Sequence, residues 1–115
     1  MQLENLKAIL ESITPTFYGS YSPSMVEEEL SNFIVFTRIN SSFKTYFDDR
    51  EAIRVTHYQV NLITIDLKTM DTLSKKLEET LKQNDISFTL TSEYINNNDT
   101  INTVYEIEME EFIDG

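Results

Sequence analysis

The sequence predicts an α+β domain in which two amphipathic helices pack on a four-stranded, mostly antiparallel sheet, in the order α-β-β-α-β-β. Two segments, beginning near residues 2 and 69, repeat apolar residues every three or four positions, as amphipathic helices do. Four other segments are rich in β-branched and aromatic residues or alternate in polarity, which is typical of strands. A length of 115 residues is enough for one core, so residues 1–115 are expected to form a single domain.

The first helix is predicted over residues 2–13, and Pro15 ends it. Its apolar stripe consists of Leu3, Leu6, Leu10 and Ile13. Residues 15–23 contain both prolines and one of the two glycines, so they predict an irregular connection. Residues 25–30 predict a short helical turn before the first strand.

The first two strands are predicted at residues 33–39 and 53–66. Phe33–Ile39 is almost continuously apolar, as in a strand covered on both faces. In the second strand the apolar residues change parity near Leu62, which indicates either two covered faces or a β-bulge there. Residues 40–52 between them predict a long loop, and loops of that length commonly have a function.

The second helix is predicted over residues 69–84, with Thr69 as its N-cap. Its buried stripe consists of Met70, Leu73, Leu77 and Leu81. On the opposite face, Glu78 and Lys82 are four residues apart and predict a solvated ion pair.

The last two strands are predicted at residues 86–94 and 101–110, joined by a turn at residues 96–99 that is rich in Asn. Both strands alternate in polarity, so they predict a hairpin with one apolar side and one wet, mainly acidic side.

Composition excludes several classes of function. Nine basic and twenty acidic residues give a net charge of −11, which opposes binding to nucleic-acid backbones and anionic membranes. The chain has no cysteine, one histidine and two glycines, so thiolate chemistry, multi-histidine metal sites and glycine-rich phosphate loops are excluded. No apolar run approaches a membrane span and Met1 does not open a signal peptide, so cytosolic synthesis is expected. We expect no cofactor and no enzymatic activity.

Three groups of polar residues are weighed as sites, and a structural role is preferred for each. His57 has no evident nucleophile or metal co-ligand in the sequence. The acidic residues at 48, 49 and 51 lack the spacing of a calcium loop. Glu27, Glu28 and Glu29 suit the first turn of a helix or plain surface.

A basic and aromatic segment between Arg38 and Arg54 is the first candidate contact element. Its candidate interface residues are Arg38, Phe43, Lys44, Tyr46, Phe47, Arg50 and Arg54. Arg and aromatic side chains are enriched at interfaces. The alternative is that the aromatic residues fold back on the sheet as an extra edge strand.

The C-terminal stretch is the second candidate. From Asp85 onward the chain has eight acidic residues and no Lys or Arg. Glu106, Glu108 and Glu110 alternate on one predicted face, so we treat them as interface candidates. Separate basic and acidic patches suit a head-to-tail assembly of copies. The alternative is a monomer with an acidic face.

The chain resembles the tail terminator, or tail-completion, proteins of long-tailed bacteriophages, over about residues 31–112. The likeness rests on size, acidity, the strand Phe33–Ile39, the long loop, a strand containing residues 56–61, the helix striped by Leu73, Leu77 and Leu81, and the final hairpin. The resemblance implies a non-enzymatic protein that forms a hexameric ring on the tail tube and stops tube growth. Its partners would be copies of itself, the tail-tube protein and the head–tail connector.

The same resemblance implies a location in the tail or neck of the virion, after synthesis in the bacterial host cytoplasm. Residues 40–52 would face the channel or a neighbouring ring, with Arg38, Lys44, Arg50 and Arg54 at interfaces. An acidic lining would suit the passage of DNA, because like charges discourage adhesion. The alternatives are another head–tail connector or neck subunit, and an acidic inhibitor or immunity-type protein that binds a basic partner.

Overall fold

A five-stranded mixed sheet with two helices makes up the described part of the computed structural model, which covers residues 2–19, 32–45, 51–96 and 99–114. The elements are α1 (Gln2–Glu11), β1 (Thr16–Tyr18), β2 (Phe33–Thr45), β3 (Glu51–Thr64), α2 (Leu67–Gln83), β4 (Ser87–Ile95) and β5 (Ile101–Asp114). The strands lie in the order β1-β2-β3-β5-β4. The prediction of a four-stranded sheet is therefore wrong, while the α+β class is correct. The predicted turn at residues 25–30 lies outside the described residues.

The additional strand is β1, which falls within the segment predicted to be irregular. It pairs in parallel with Ile34–Phe36 of β2. Ile34 donates a backbone hydrogen bond to Pro15 (2.8 Å) and Gly19 donates one to Phe36 (3.0 Å), which extends the pairing at both ends. Three residues are too few to show a period of two, so the pattern next to the prolines could not reveal this strand.

The prediction of a long loop over residues 40–52 is also wrong for residues 40–45 and 51–52, which belong to strands, and residues 46–50 lie outside the described part of the chain. β2 continues to Thr45, and it pairs with β3 from Phe33↔Ile63 to Thr45↔Ala52. The pairing shifts between Arg38 and Asn40, where Ile39 forms a bulge. This bulge and the polar residues after it conceal the strand in the sequence. Phe43 is thus part of β2 itself and not of an extra edge strand.

The change of parity in β3 reflects two covered faces. β3 pairs with β5 without any shift in register. Its pairing with β2 shifts only at the Ile39 bulge, which lies opposite Tyr58 and His57. Leu62 is fully buried on one face and Ile63 is 6% exposed on the other. No bulge therefore occurs near Leu62.

The main core lies between the helices and one side of the sheet, which we call the helix face. Successive residues of a strand point to opposite faces, so Tyr58, Val60 and Leu62 of β3 share this face. The fully buried side chains packed there include Leu6, Leu10, Ile34, Phe36, Leu77, Leu81, Tyr105 and Ile107. A smaller cluster on the opposite side, which we call the open face, contains Phe33, Val35 and Ile63 with Phe17 against it.

The ends of α2 are set by side-chain and backbone hydrogen bonds. Asp66, not Thr69, is the N-cap, because its extended backbone lets its carboxylate accept from the Thr69 N–H at 2.7 Å. The two hydrogen bonds from Thr69 lower the Asp66 pKa below its ordinary value. At the other end Asp85 has φ of 56°, a left-handed conformation that lets the chain turn into β4.

The predicted surface pair of Glu78 and Lys82 has different partners in the fold. Glu78 accepts a hydrogen bond from the Tyr105 hydroxyl at 2.8 Å. The Lys82 ammonium lies 5.9 Å from the centre of the Phe88 ring. Both residues therefore help to attach α2 to the last hairpin.

Candidate interaction surfaces

His57 links three neighbouring strands on the open face. Its Nδ1 lies 2.8 Å from Asn40 Oδ1 in β2, and its Nε2 lies 3.2 Å from Glu108 Oε1 in β5. A triad-type mechanism needs a nucleophile on one ring nitrogen, yet both nitrogens here contact an amide or a carboxylate. This geometry suits a role in joining the outer parts of the strands. Among the described residues no cluster of His and acidic side chains is arranged to hold a metal ion.

The three glutamates predicted as interface residues form an acidic strip on the open face. Glu106, Glu108 and Glu110 are alternate residues of β5, so they point to the same side at intervals of roughly 7 Å. Glu106 and Glu110 are exposed, while Glu108 contacts His57. A shallow depression of about 260 Å³ lies beside this strip and is lined by polar groups of β4. The described residues of the strip thus present an anionic surface beside an open depression.

The arginine candidates lie on the other side of the sheet. Arg38 is paired with Tyr58 and Arg54 with Glu111, positions that share the helix face. Burial raises the Tyr58 pKa, and the positive charges of Arg38 and Arg54 partly oppose that rise. Arg54 is thus on the strand next to the acidic strip and Arg38 is one strand further away, and both positions are separated from the strip by the thickness of the sheet.

The remaining candidates are only partly located. Phe43 and Lys44 belong to β2, where they pair with Arg54 and Ile53. Tyr46, Phe47 and Arg50 lie outside the described residues, as do the acidic residues at 27–29, 48 and 49.

One edge of the sheet is formed by β4, which the sequence reasoning did not single out. Every β4 residue except Phe88 is exposed. Leu90 is 47%, Tyr94 48% and Ile95 70% exposed, which is unusual for large apolar side chains. The strand has one charged residue, Glu93, and lacks the lysine or proline that commonly protects edges. The low charge of this segment is a feature of the sequence that could have drawn attention to it. Alternation alone does not show whether a strand lies at the edge or in the centre of a sheet.

A second free edge belongs to the outer half of β2. β1 pairs with Ile34–Phe36, and Gly19 continues it by one residue alongside Thr37. Within the described chain no strand pairs with the outer side of Arg38–Thr45, where the Arg38 N–H donates a long hydrogen bond (3.4 Å) to the Tyr18 hydroxyl. Residues 38–42 are all exposed, including Ile39 at 48%. Unpaired backbone groups on such an edge can accept a further strand. We call these two regions the β4 edge and the free β2 edge.

Comparison with known proteins adds no assignment to these surfaces. No family model matches the chain, and a search of curated proteins finds no relative. Neither helix of the described chain has both the length and the apolar character needed to span a membrane.

Proposed function

We propose that the protein is a structural subunit that assembles with copies of itself into a ring and completes the tail of a long-tailed bacteriophage. The observation that carries this proposal is the pair of sheet edges, on opposite sides of the molecule, that no other described strand covers. A contact between two different surfaces leaves one of each unused, so assembly continues, and it ends in a ring where the rotation between copies closes. The resemblance to tail terminators supplies the biological setting.

The use of the polar side chains supports a structural role. His57 is held by Asn40 and Glu108, and the Tyr105 hydroxyl is committed to Glu78. These groups are candidates for acid–base chemistry, but each is used to join elements of the fold. The observed geometry therefore favours a building block over an enzyme.

The acidic strip has a place in the same proposal. With the helices on the outside, the open face and Glu106, Glu108 and Glu110 would line the channel of the ring. Like charge would discourage adhesion of passing DNA phosphates. The ring would contact the tail-tube protein on one side and the head–tail connector on the other, in the tail or neck of the virion. A subunit of the neighbouring neck would share these features.

Light scattering coupled to size-exclusion chromatography, over a wide range of protein concentration, tests the proposal. We expect a single closed oligomer, formed by the protein alone or on addition of the tail-tube protein encoded in the same genome. Electron microscopy of the product should show rings, alone or at the ends of tubes. A protein that stays monomeric at every concentration and does not bind the tube protein would contradict the proposal.

The acidic strip also suits an inhibitor of a basic enzyme, so the same experiment includes a basic nuclease as a competing partner. One-to-one binding that weakens steeply with added salt would favour the inhibitor. The variant Glu106→Gln/Glu110→Gln separates the two functions. It should abolish binding to the nuclease but leave ring assembly intact, because neither residue lies on the sheet edges.

A further inference from the structure

The strands at the two edges, β4 and β2, run in opposite directions because an odd number of antiparallel pairings separates them. β4 is antiparallel to β5, β5 to β3, and β3 to β2. β4 and β2 therefore run in opposite directions within one molecule. Rotation about an axis roughly along the strands preserves these directions, so the β4 edge of one copy would meet the free β2 edge of the next in an antiparallel pairing.

The alternation of side chains restricts the register of such a pairing. Residues opposite one another in adjacent strands point to the same face. On the helix face lie Leu90 and Glu93 of β4, and Arg38 and Ser41 of β2. Each strand has one bulge, between Leu90 and Ser92 in β4 and between Arg38 and Asn40 in β2, so the two bulges compensate.

One register matches the faces along Arg38–Lys44, and charge supports it. In that register the pairing runs from Ser87 opposite Lys44 to Glu93 opposite Arg38, and the Arg38 N–H exchanges its long hydrogen bond with the Tyr18 hydroxyl for one with β4. Both Glu93 and Arg38 are exposed in the single molecule. Opposite charges across a strand pair are stabilising, and such a pair matters more between copies that each carry a charge of −11.

The favoured register also displaces neighbouring copies along the strands. In one molecule Ser87 is level with Asn40, through Glu108 and His57. Pairing with Lys44 of the next copy moves that copy by four residues, roughly 13 Å, across a repeat of four strands that is roughly 19 Å wide. A sheet that closes on itself requires a stagger of this kind, because its strands tilt relative to the axis.

From these observations we infer that the ring is closed by strand pairing between the β4 edge of one copy and the free β2 edge of the next, with Glu93 opposite Arg38. This inference rests on the proposed ring function and identifies its interface. The occupant of each edge is a second copy of this chain. The pairing covers Leu90, one of the large apolar side chains that the single molecule leaves exposed.

Cysteine cross-linking tests the interface directly, since the natural chain has no cysteine. Thr89 and Ser42 are exposed, point to the open face and are opposite one another in the favoured register. The double variant Thr89→Cys/Ser42→Cys should give a ladder of disulfide-linked oligomers under mild oxidation. An equimolar mixture of the two single variants should give dimers only. Each single variant by itself should remain uncross-linked.

The matched control is Thr89→Cys/Ser41→Cys, in which the second cysteine moves by one residue to the opposite face. Disulfide geometry requires close and mutually directed β-carbons, so this pair should cross-link far less. Equal cross-linking by Thr89→Cys alone would indicate that β4 pairs with β4, and it would overturn the inference. Equal cross-linking by the control pair would also overturn it.

Light scattering of the uncross-linked variants distinguishes the two levels of the proposal. An oligomer without the expected cross-link refutes the interface and leaves the ring function standing. The expected cross-link in open filaments without rings supports the interface and contradicts the ring function. A monomer at every concentration, with the tube protein present, refutes both.

Discussion

β4 and β5 form the two halves of one hairpin, and both alternate in polarity, yet their surroundings are opposite. Residues 101–105 of β5 are all buried, whereas β4 is exposed at every residue except Phe88. β5 lies between β3 and β4, while β4 has a neighbour on one side only in the described sheet. A residue's burial in a sheet thus depends on the position of its strand as well as on the pattern of its sequence.

The same contrast corrects the prediction of an acidic, wet side along the last strand. The first part of β5 is buried on both faces, since Asn102 and Val104 on the open face are as buried as their neighbours. Only from Glu106 onward does the open face of β5 become acidic and accessible. In this hairpin β4 is therefore solvent-exposed along its length, whereas β5 is solvent-exposed only in its outer half.

Truncation of one apolar side chain on each strand should give the largest difference in the free energy of unfolding. Ile107→Ala deletes a fully buried side chain of β5 and should cost about 2–5 kcal/mol of unfolding free energy, because it leaves a cavity in the core. Leu90→Ala on β4 should change it by less than about 0.5 kcal/mol, as expected for an exposed site. Urea unfolding of the two variants measures both values. Comparable losses would show that β4 is covered in the isolated protein.

Removal of the hydroxyl group from one tyrosine on each strand should give a smaller difference in the free energy of unfolding. Tyr105→Phe on β5 removes the donor to Glu78 and should cost about 1 kcal/mol. Tyr94→Phe on β4 removes a hydroxyl that accepts from Asn102 and is half exposed, so the loss should be smaller. The same unfolding experiment at pH 7 compares them.

Alkaline pH sharpens the tyrosine comparison. Burial, the hydrogen bond to Glu78 and the Glu78 charge raise the Tyr105 pKa above its ordinary value. A pKa raised by folding gives stability that is complete below the unfolded value of about 10 and is lost as pH increases above it. The wild type should thus lose stability from about pH 10 upward, and Tyr105→Phe should lose less. Unfolding at pH 8 to 11 with ultraviolet detection of tyrosinate measures this difference.

Charge reversal on β4 should have a modest effect that is confined to assembly. Glu93→Lys places like charges opposite one another at the inferred interface, and Arg38→Glu does the same from the other edge. Exposed pairs contribute about 0.2–1 kcal/mol, so each variant should weaken association by about 1.5-fold to fivefold per contact. The double variant should recover most of the loss. Sedimentation at low salt measures association, and an unrecovered double variant would argue against the favoured register.

The smallest effect is expected from the cap of α2, the helix that packs across β3, β4 and β5. The hydrogen bonds from Thr69 that lower the Asp66 pKa give stability that is present above the unfolded value of about 3.8 and lost as pH falls through the folded value. Asp66→Asn keeps an acceptor but does not titrate, so it should remove this acid dependence. Thermal unfolding between pH 2 and pH 7 compares the variant with the wild type. An identical acid response in both would contradict the cap.

The sequence predicted the elements with strong periods and missed those without one. The apolar stripes correctly placed both helices. The four stripe residues that are fully buried are Leu6, Leu10, Leu77 and Leu81. β1 was too short to show a pattern, and the Ile39 bulge interrupted the pattern of β2. Local periodicity is a property of a segment and carries no information about neighbouring strands.

The surfaces were predicted less well than the elements, for the same reason. The acidic strip followed from alternation along β5, and the structure places its three glutamates on one face. The two free edges depend on the order β1-β2-β3-β5-β4, which arises from pairing between residues distant in sequence. Alternation along the hairpin therefore could not show that Leu90 and Ile95 are exposed at an edge.

The central position of β5 has a consequence for folding during synthesis. β3 is made early but borders β5 along its full length, from Glu51↔Asp114 to Thr64↔Ile101. While α2 and β4 are being translated, one side of a fourteen-residue strand rich in Val and Ile has no native neighbour. Late long-range pairing of this kind slows folding and exposes nascent chains to misassociation. Chaperones would have their main opportunity to bind in that interval.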